Sequence, residues 1–262
     1  MLRNFLPVLL CLIFFSSANA QSKNPQSKNV QSKSAQRKNL QRKNALPFYK
    51  AGIAFKQVNN SGEALNSFAK AVLADAKFDS AYVEMGNIYL AGGNMDLAIY
   101  NYEKALAINP DYTEALIGMG KIYRDSKKNY DSAIIYYNAA EKLDKSNKET
   151  YYALAWIYNA KQEYEKAIPY AVKSLEIDNT YKPAYGELGH AFRATKKYTE
   201  CIEQFKKNLA VSVVDVAYLY SGYCYIELKN KEGAMQQYEA LKKINERMAG
   251  ALLKKIEAMP AD

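Results

Sequence analysis

Residues 97–110 read LAIYNYEKALAINP. Apolar side chains recur there at three- and four-residue spacing, the period of an amphipathic helix. The inward positions include two alanines seven apart, Ala98 and Ala105, with an aromatic, Tyr102, between them. A helix gives core positions to alanine where another helix must come close, so the stretch predicts a tightly paired helix. Pro110 marks its end, because proline cannot continue a helix ladder.

The same fragment returns along the chain. Copies are EALNSFAKAVLADA from Glu63, SAIIYYNAAEKLDK from Ser132, KAIPYAVKSLEIDN from Lys166, ECIEQFKKNLAVSV from Glu200 and GAMQQYEALKKINE from Gly233. With the copy at Leu97, successive starts lie 34, 35, 34, 34 and 33 residues apart. A second motif precedes each copy: FYKAGIAF from Phe48, YVEMGNIY from Tyr82, LIGMGKIY from Leu116, YYALAWIY from Tyr151, YGELGHAF from Tyr185 and YLYSGYCY from Tyr218. In Tyr82, Gly86 and Tyr89 the spacing i, i+4, i+7 shares one helical face. A period of this size is the mark of a solenoid, in which one helix pair buries its faces on its neighbours. Gly86 is expected opposite Ala98, letting two backbones approach, with Tyr89 and Tyr102 beside the contact.

The pattern Tyr82, Met85, Gly86, Tyr89, Ala98, Tyr102, Ala105, Pro110 resembles the tetratricopeptide repeat family. The resemblance implies an all-α, right-handed α-solenoid of six helix-turn-helix units at 45–78, 79–112, 113–147, 148–181, 182–214 and 215–248. Residues 249–262 are expected to cap the sixth, on a final segment NERMAGALLKKIEAMP from Asn245 that carries Met248, Leu252 and Ile256 on one face. The ends of the array fit least well: Ala51 and Ser221 stand where a large apolar residue is usual, and Asn208 and Leu241 where a small one is.

The N-terminal 44 residues belong to something else. Residues 1–20, MLRNFLPVLLCLIFFSSANA, place one cation, an apolar run and a small-residue end in the order of a cleavable export signal. Export implies a periplasmic or secreted location if the source is bacterial, with no membrane-spanning segment after cleavage. Residues 21–44 repeat QSKNP, QSKNV, QSKSA, QRKNL, QRKN and are too polar to offset the entropy of ordering, so a disordered basic tether is expected. Residues 1–45 carry eight Lys or Arg and no acid, leaving 28 basic and 27 acidic residues beyond them. A near-neutral body argues against nucleic acid, which needs basic charge along the array. Once Cys11 is removed, Cys201 and Cys224 remain. They read as small buried apolar residues, although export permits a disulfide between them.

The chemistry-bearing motifs of enzymes are missing from the sequence. It has a single histidine, His190, and no phosphate-binding glycine loop, nucleophile elbow or Cys/His metal spacing. The reading is therefore non-catalytic, with no cofactor and no metal. In the family the concave groove is lined by the fifth, ninth and twelfth residues of each first helix's unit. Ten of those eighteen positions here are apolar or aromatic, which a solvated face would not be. Mapped onto this chain, the peptide-binding groove holds Lys121, Arg124, Tyr152, Trp156, Asn159, His190, Arg193 and Tyr223, with Lys121, Trp156, His190 and Tyr223 in one row. The expected ligand is a protein or peptide segment with acidic residues, held by aromatic anchors. The Lys/Asn/Arg clamp of the family's chaperone-tail-binding subgroup is incomplete, with Tyr49 and Ile53 in two of its places. The implied function is an exported scaffold or adaptor. The alternative is a surface tether whose basic residues 21–44 contact anionic lipid or glycan.

Overall fold

In the computed structural model, which describes residues 25–260, thirteen helices follow one another and no strand occurs among the described residues. The expected export signal lies outside the described residues. The helices pair in order: α1 Pro25–Gln57 with α2 Ser61–Ala74, α3 Asp79–Ala91 with α4 Met95–Ile108, and α5 Thr113–Asp125 with α6 Tyr130–Leu143. Then come α7 Lys148–Ala160 with α8 Tyr164–Ile177, α9 Lys182–Ala194 with α10 Tyr198–Leu209, and α11 Asp215–Glu227 with α12 Lys231–Lys242. The last, α13 Glu246–Glu257, lies against α11 and α12 and buries Ala249, Leu252 and Ile256 there. This is an all-α helical repeat solenoid.

Local chemistry writes the period a second time, at the turns. Within every pair one residue takes a left-handed backbone: Asn59, Gly93, Lys128, Gln162, Lys196 and Lys229, with φ between 48° and 77°. It reverses the chain between helices, and only Gly93 does so without a Cβ penalty. In four pairs the next residue is Asn60, Asn94, Asn129 or Asn230, whose side-chain oxygen accepts the N–H three residues on, at 3.2, 3.2, 3.1 and 2.7 Å. These are N-caps, satisfying a donor that the helix start leaves free. Between units, Asp75, Asn109, Asp144 and Asp178 accept the N–H two residues on, at 3.0, 3.1, 2.8 and 2.9 Å.

The packing explains the alanines and sharpens one expectation. Ala98, Tyr102 and Ala105 are all fully buried. The Tyr102 ring, expected beside the glycine contact, lies directly against Gly86. A Cβ on Gly86 would stand 2.7 Å from that ring, and one on Gly118 of the next unit 2.4 Å. One aromatic is thus clasped between two glycines from successive first helices. Gly52 with Phe68 and Gly120 with Tyr137 repeat the contact.

Two expectations are corrected. Residues 25–44 are not without regular structure: their backbone is the first part of α1. A helix nucleated in the first unit extends upstream at little cost through Lys, Gln and Arg, which are good helix formers. The end of this stretch is held down. Arg42 donates to the Lys77 carbonyl at 3.2 Å and to Asp79 at 3.0 Å, and its guanidinium lies 3.7 Å from the Phe78 ring centroid. Cys201 and Cys224 are buried, as read, but they are joined in a disulfide that ties α10 to α11.

Candidate functional site

First helices lie side by side through the array, α3 on α5, α7 on α9, α9 on α11 and α11 on α13. Each turns its core stripe to its own second helix. The twelfth residue of a unit, in the last turn, is left to reach across to the next first helix. Lys56 bridges to Glu84 of α3 at 2.5 Å. The Arg124 guanidinium stands 5.4 Å from the centroid of Trp156 on α7. Asn159 donates its amide to the Glu187 carbonyl at 2.9 Å and to Glu187 Oε2 at 2.8 Å, both on α9. Arg193 stands 5.3 Å from the Tyr223 ring of α11 and 3.5 Å from Glu227. Four junctions are stitched by the same register position with different chemistry.

The residues expected to line a groove therefore fall into linked groups. Lys121 is exposed on α5 and borders an open cleft with Asn87, Leu90 and Met95. Arg124 is largely covered, with Nε and one terminal nitrogen 2.5 and 2.9 Å from the two Asp125 carboxylate oxygens. Trp156 is half-buried, edge-on to Tyr130 at 5.9 Å. Tyr152 is half-buried, edge-on to Tyr181 at 5.6 Å. Asn159 is buried and His190 is exposed, its ring 5.4 Å from Tyr164. Tyr223 has two cations over its ring, Arg193 and Lys255, the latter at 5.5 Å. Val83, the fifth residue of unit 79–112 and so one of the eighteen positions expected on this wall, is instead a core residue at 3% exposure, in one cluster with Tyr102 and Met119.

The electrostatics centre on a residue that sequence reading passed over. Burial pushes the Glu187 carboxyl above the usual carboxylate range, against the pull of Asn159, His190 and Arg124. Burial also raises Tyr152, with the Glu187 charge adding to it, and raises Tyr220 with the same helper. The Glu187 carboxylate thus lies within electrostatic reach of Tyr152 on α7 and Tyr220 on α11. A signal for it exists in the sequence: a side-chain donor at the twelfth position and a Glu 28 residues later, in both Lys56–Glu84 and Asn159–Glu187. Single-helix periodicity cannot register a spacing that crosses two helices.

Sequence profiles of the tetratricopeptide repeat match this chain. One described as TPR repeat covers residues 86–125, and ones described as Tetratricopeptide repeat cover 113–147, 148–181 and 216–245. The chain is 32% identical over 81 residues to Anaphase-promoting complex subunit 3 of Schizosaccharomyces pombe, across 31% of this chain and 12% of that one. It is 33% identical over 85 residues to Photosystem I assembly protein Ycf3 of Prochlorococcus marinus (strain MIT 9301), across 31% and 49%. These alignments therefore span half or less of the relatives' own length. Among solved structures, YrrB, described as a TPR protein with an unusual peptide-binding site, shares 20% identity at a TM-score of 0.58, over 71% of this chain and 97% of that one. Pseudomonas aeruginosa pilF shares 15% at 0.63, over 82% and 99%. At these identities the likeness speaks to the fold alone.

Proposed function

We propose that this chain, an all-α array carrying tetratricopeptide repeats, is an exported, non-catalytic adaptor that binds a protein segment along its wall of first helices. The observation that carries the reading is the half-covered row on α5, α7 and α11. Tyr152, Trp156 and Tyr223 are neither buried into a core nor surrounded by solvent, and Arg124 and Arg193 lie against two of them. Aromatic and Arg side chains in that state are the usual anchors of a binding surface. Repeat proteins of this kind mediate protein–protein interactions, and the YrrB structure carries a peptide-binding site. Export is supported by the signal-like first twenty residues and by the Cys201–Cys224 disulfide, a bond at home in oxidising compartments.

The test begins with affinity purification of the mature protein and identification of what accompanies it. Trp156→Ala should then weaken binding at least about 30-fold, the loss typical of a buried aromatic anchor. Glu141→Ala, on α6, serves as a control and should bind as wild type. Equal affinities for the two variants would remove the groove from consideration. N-terminal sequencing of the exported form should read from Gln21. The tether reading draws support from Arg37, Lys38 and Lys43, all exposed on α1. Deleting residues 21–44 separates the two: an adaptor keeps its partner, whereas a tether loses its anionic surface.

A further inference from the structure

The pair of buried Asn159 and half-buried Glu187 has more acceptors than the protein itself uses. The Asn159 amide nitrogen is fixed in place by two acceptors, the Glu187 carbonyl and Oε2. That leaves the amide oxygen on the other side, buried and without a hydrogen-bond partner among the described residues, on a side chain 7% exposed. Glu187 also has an oxygen to spare. Only Oε2 accepts a hydrogen bond, and among the described residues the carboxylate has no ion pair. Its basic neighbours are engaged elsewhere: Arg124 holds both oxygens of Asp125 against Trp156, and the His190 ring lies against Tyr164. A half-buried carboxylate next to an unsatisfied amide oxygen, with phenol rings on the flanking helices, asks for donors and for positive charge.

We propose that Asn159 and Glu187 form the subsite of this groove that receives a Lys or Arg side chain of the bound segment. The proposal rests on the groove reading and changes its expected ligand chemistry. Of the two arginines on the wall, Arg124 already has Asp125 as a partner; Arg193 has Glu227 at 3.5 Å, although its Nε lacks a hydrogen-bond partner among the described residues. An acidic ligand side chain placed at Glu187 would meet a carboxylate and an amide oxygen, both acceptors. An ammonium brings three donors and a guanidinium five, with a full positive charge, to the free oxygen of a carboxylate that Asn159 holds in place.

The experiment uses a phage-displayed library of random dodecapeptides, selected on the mature chain and titrated as synthetic peptides against wild type, Glu187→Gln, Asn159→Ala and Trp156→Ala. Glu187→Gln keeps an oxygen for the Asn159 amide, so it preserves the helix contact while removing the charge. Selected peptides should share a Lys or Arg. Its replacement by Ala in the peptide should lower affinity for wild type at least about tenfold, as for a desolvated charge pair. The same replacement should cost almost nothing on Glu187→Gln, which is the signature of a direct coupling. Peptides whose key residue is Asp or Glu, or a basic residue indifferent to Glu187→Gln, would overturn the subsite while Trp156→Ala still abolishes binding and the groove stands. Peptides that bind Trp156→Ala unchanged, or a selection that yields none, would overturn the groove and the subsite together.

Discussion

Gly86 and Gly118 illustrate what one missing methyl does. Each lies against Tyr102, whose ring fills the space that two β-carbons would otherwise occupy. The Tyr102 hydroxyl, far inside, donates to the Asn87 side chain at 2.7 Å, and burial drives its pKa well above the ordinary tyrosine value. Gly86→Leu must displace a ring with no free volume behind it, so it should destabilise by about 3 kcal/mol, the upper range for overpacking. Gly250, in the middle of α13, meets nothing within 4 Å. Gly250→Ala should accordingly stabilise by about 0.5–1 kcal/mol through helix propensity alone. Chemical denaturation of the two variants beside wild type checks both signs. At this scale the sequence shows which residues are small and which are large. How closely a ring lies on a glycine depends on how far two helices are rotated, and that rotation leaves no mark in one helix's spacing.

Helices and turns make up the most legible scale. The left-handed turn residues follow the repeat period, as do the Asn caps where they occur. Gly93 suits its φ of 77°, whereas Lys196 holds φ 57° with a full side chain. Lys196 is exposed, so replacing it with glycine removes backbone strain without loss of packing. Lys196→Gly should stabilise by about 1 kcal/mol, the penalty of a left-handed L-residue. Thermal unfolding would detect this, and a loss of stability would show that glycine's chain entropy outweighs the relieved strain. The α1 extension was the illegible element at this scale. Its Lys residues recur every five positions, which at 100° per residue scatters them around a helix and leaves no apolar face for periodicity to find.

For the whole molecule, stability is a sum over neighbours, and its weak point is the junction of the last two units. There α10 is followed by Val211 and Val213, both exposed. The buried Asn208 amide nitrogen and Ser221 hydroxyl have no hydrogen-bond partner among the described residues. Both residues are among the four whose size departs from the repeat pattern. The Cys201–Cys224 bond, closing a loop of 23 residues, crosses this junction. Cys201→Ala with Cys224→Ala should cost about 3 kcal/mol, the scale expected for a loop of that length. Because a solenoid's units contact only their neighbours, the loss should fall on residues 215–257 first, read as faster amide exchange there than in α3–α6. Two reactive thiols in the denatured, unreduced protein would remove the bond from the account.

The sequence by itself determined the paired helices of the repeats, their order and the core stripe of each. All of these follow from spacings within one helix or from a period that repeats six times. It also put Arg124 near Trp156 and Arg193 near Tyr223, because neighbouring positions of stacked units share a face. Tertiary structure alone decided that Val83 belongs to the core, that the two cysteines are bonded, that residues 25–44 continue a helix, and that Asn159 grips Glu187. Each of these depends on the angle and distance between neighbouring helices. Many side chains set those quantities together, and a one-dimensional period carries no term for them.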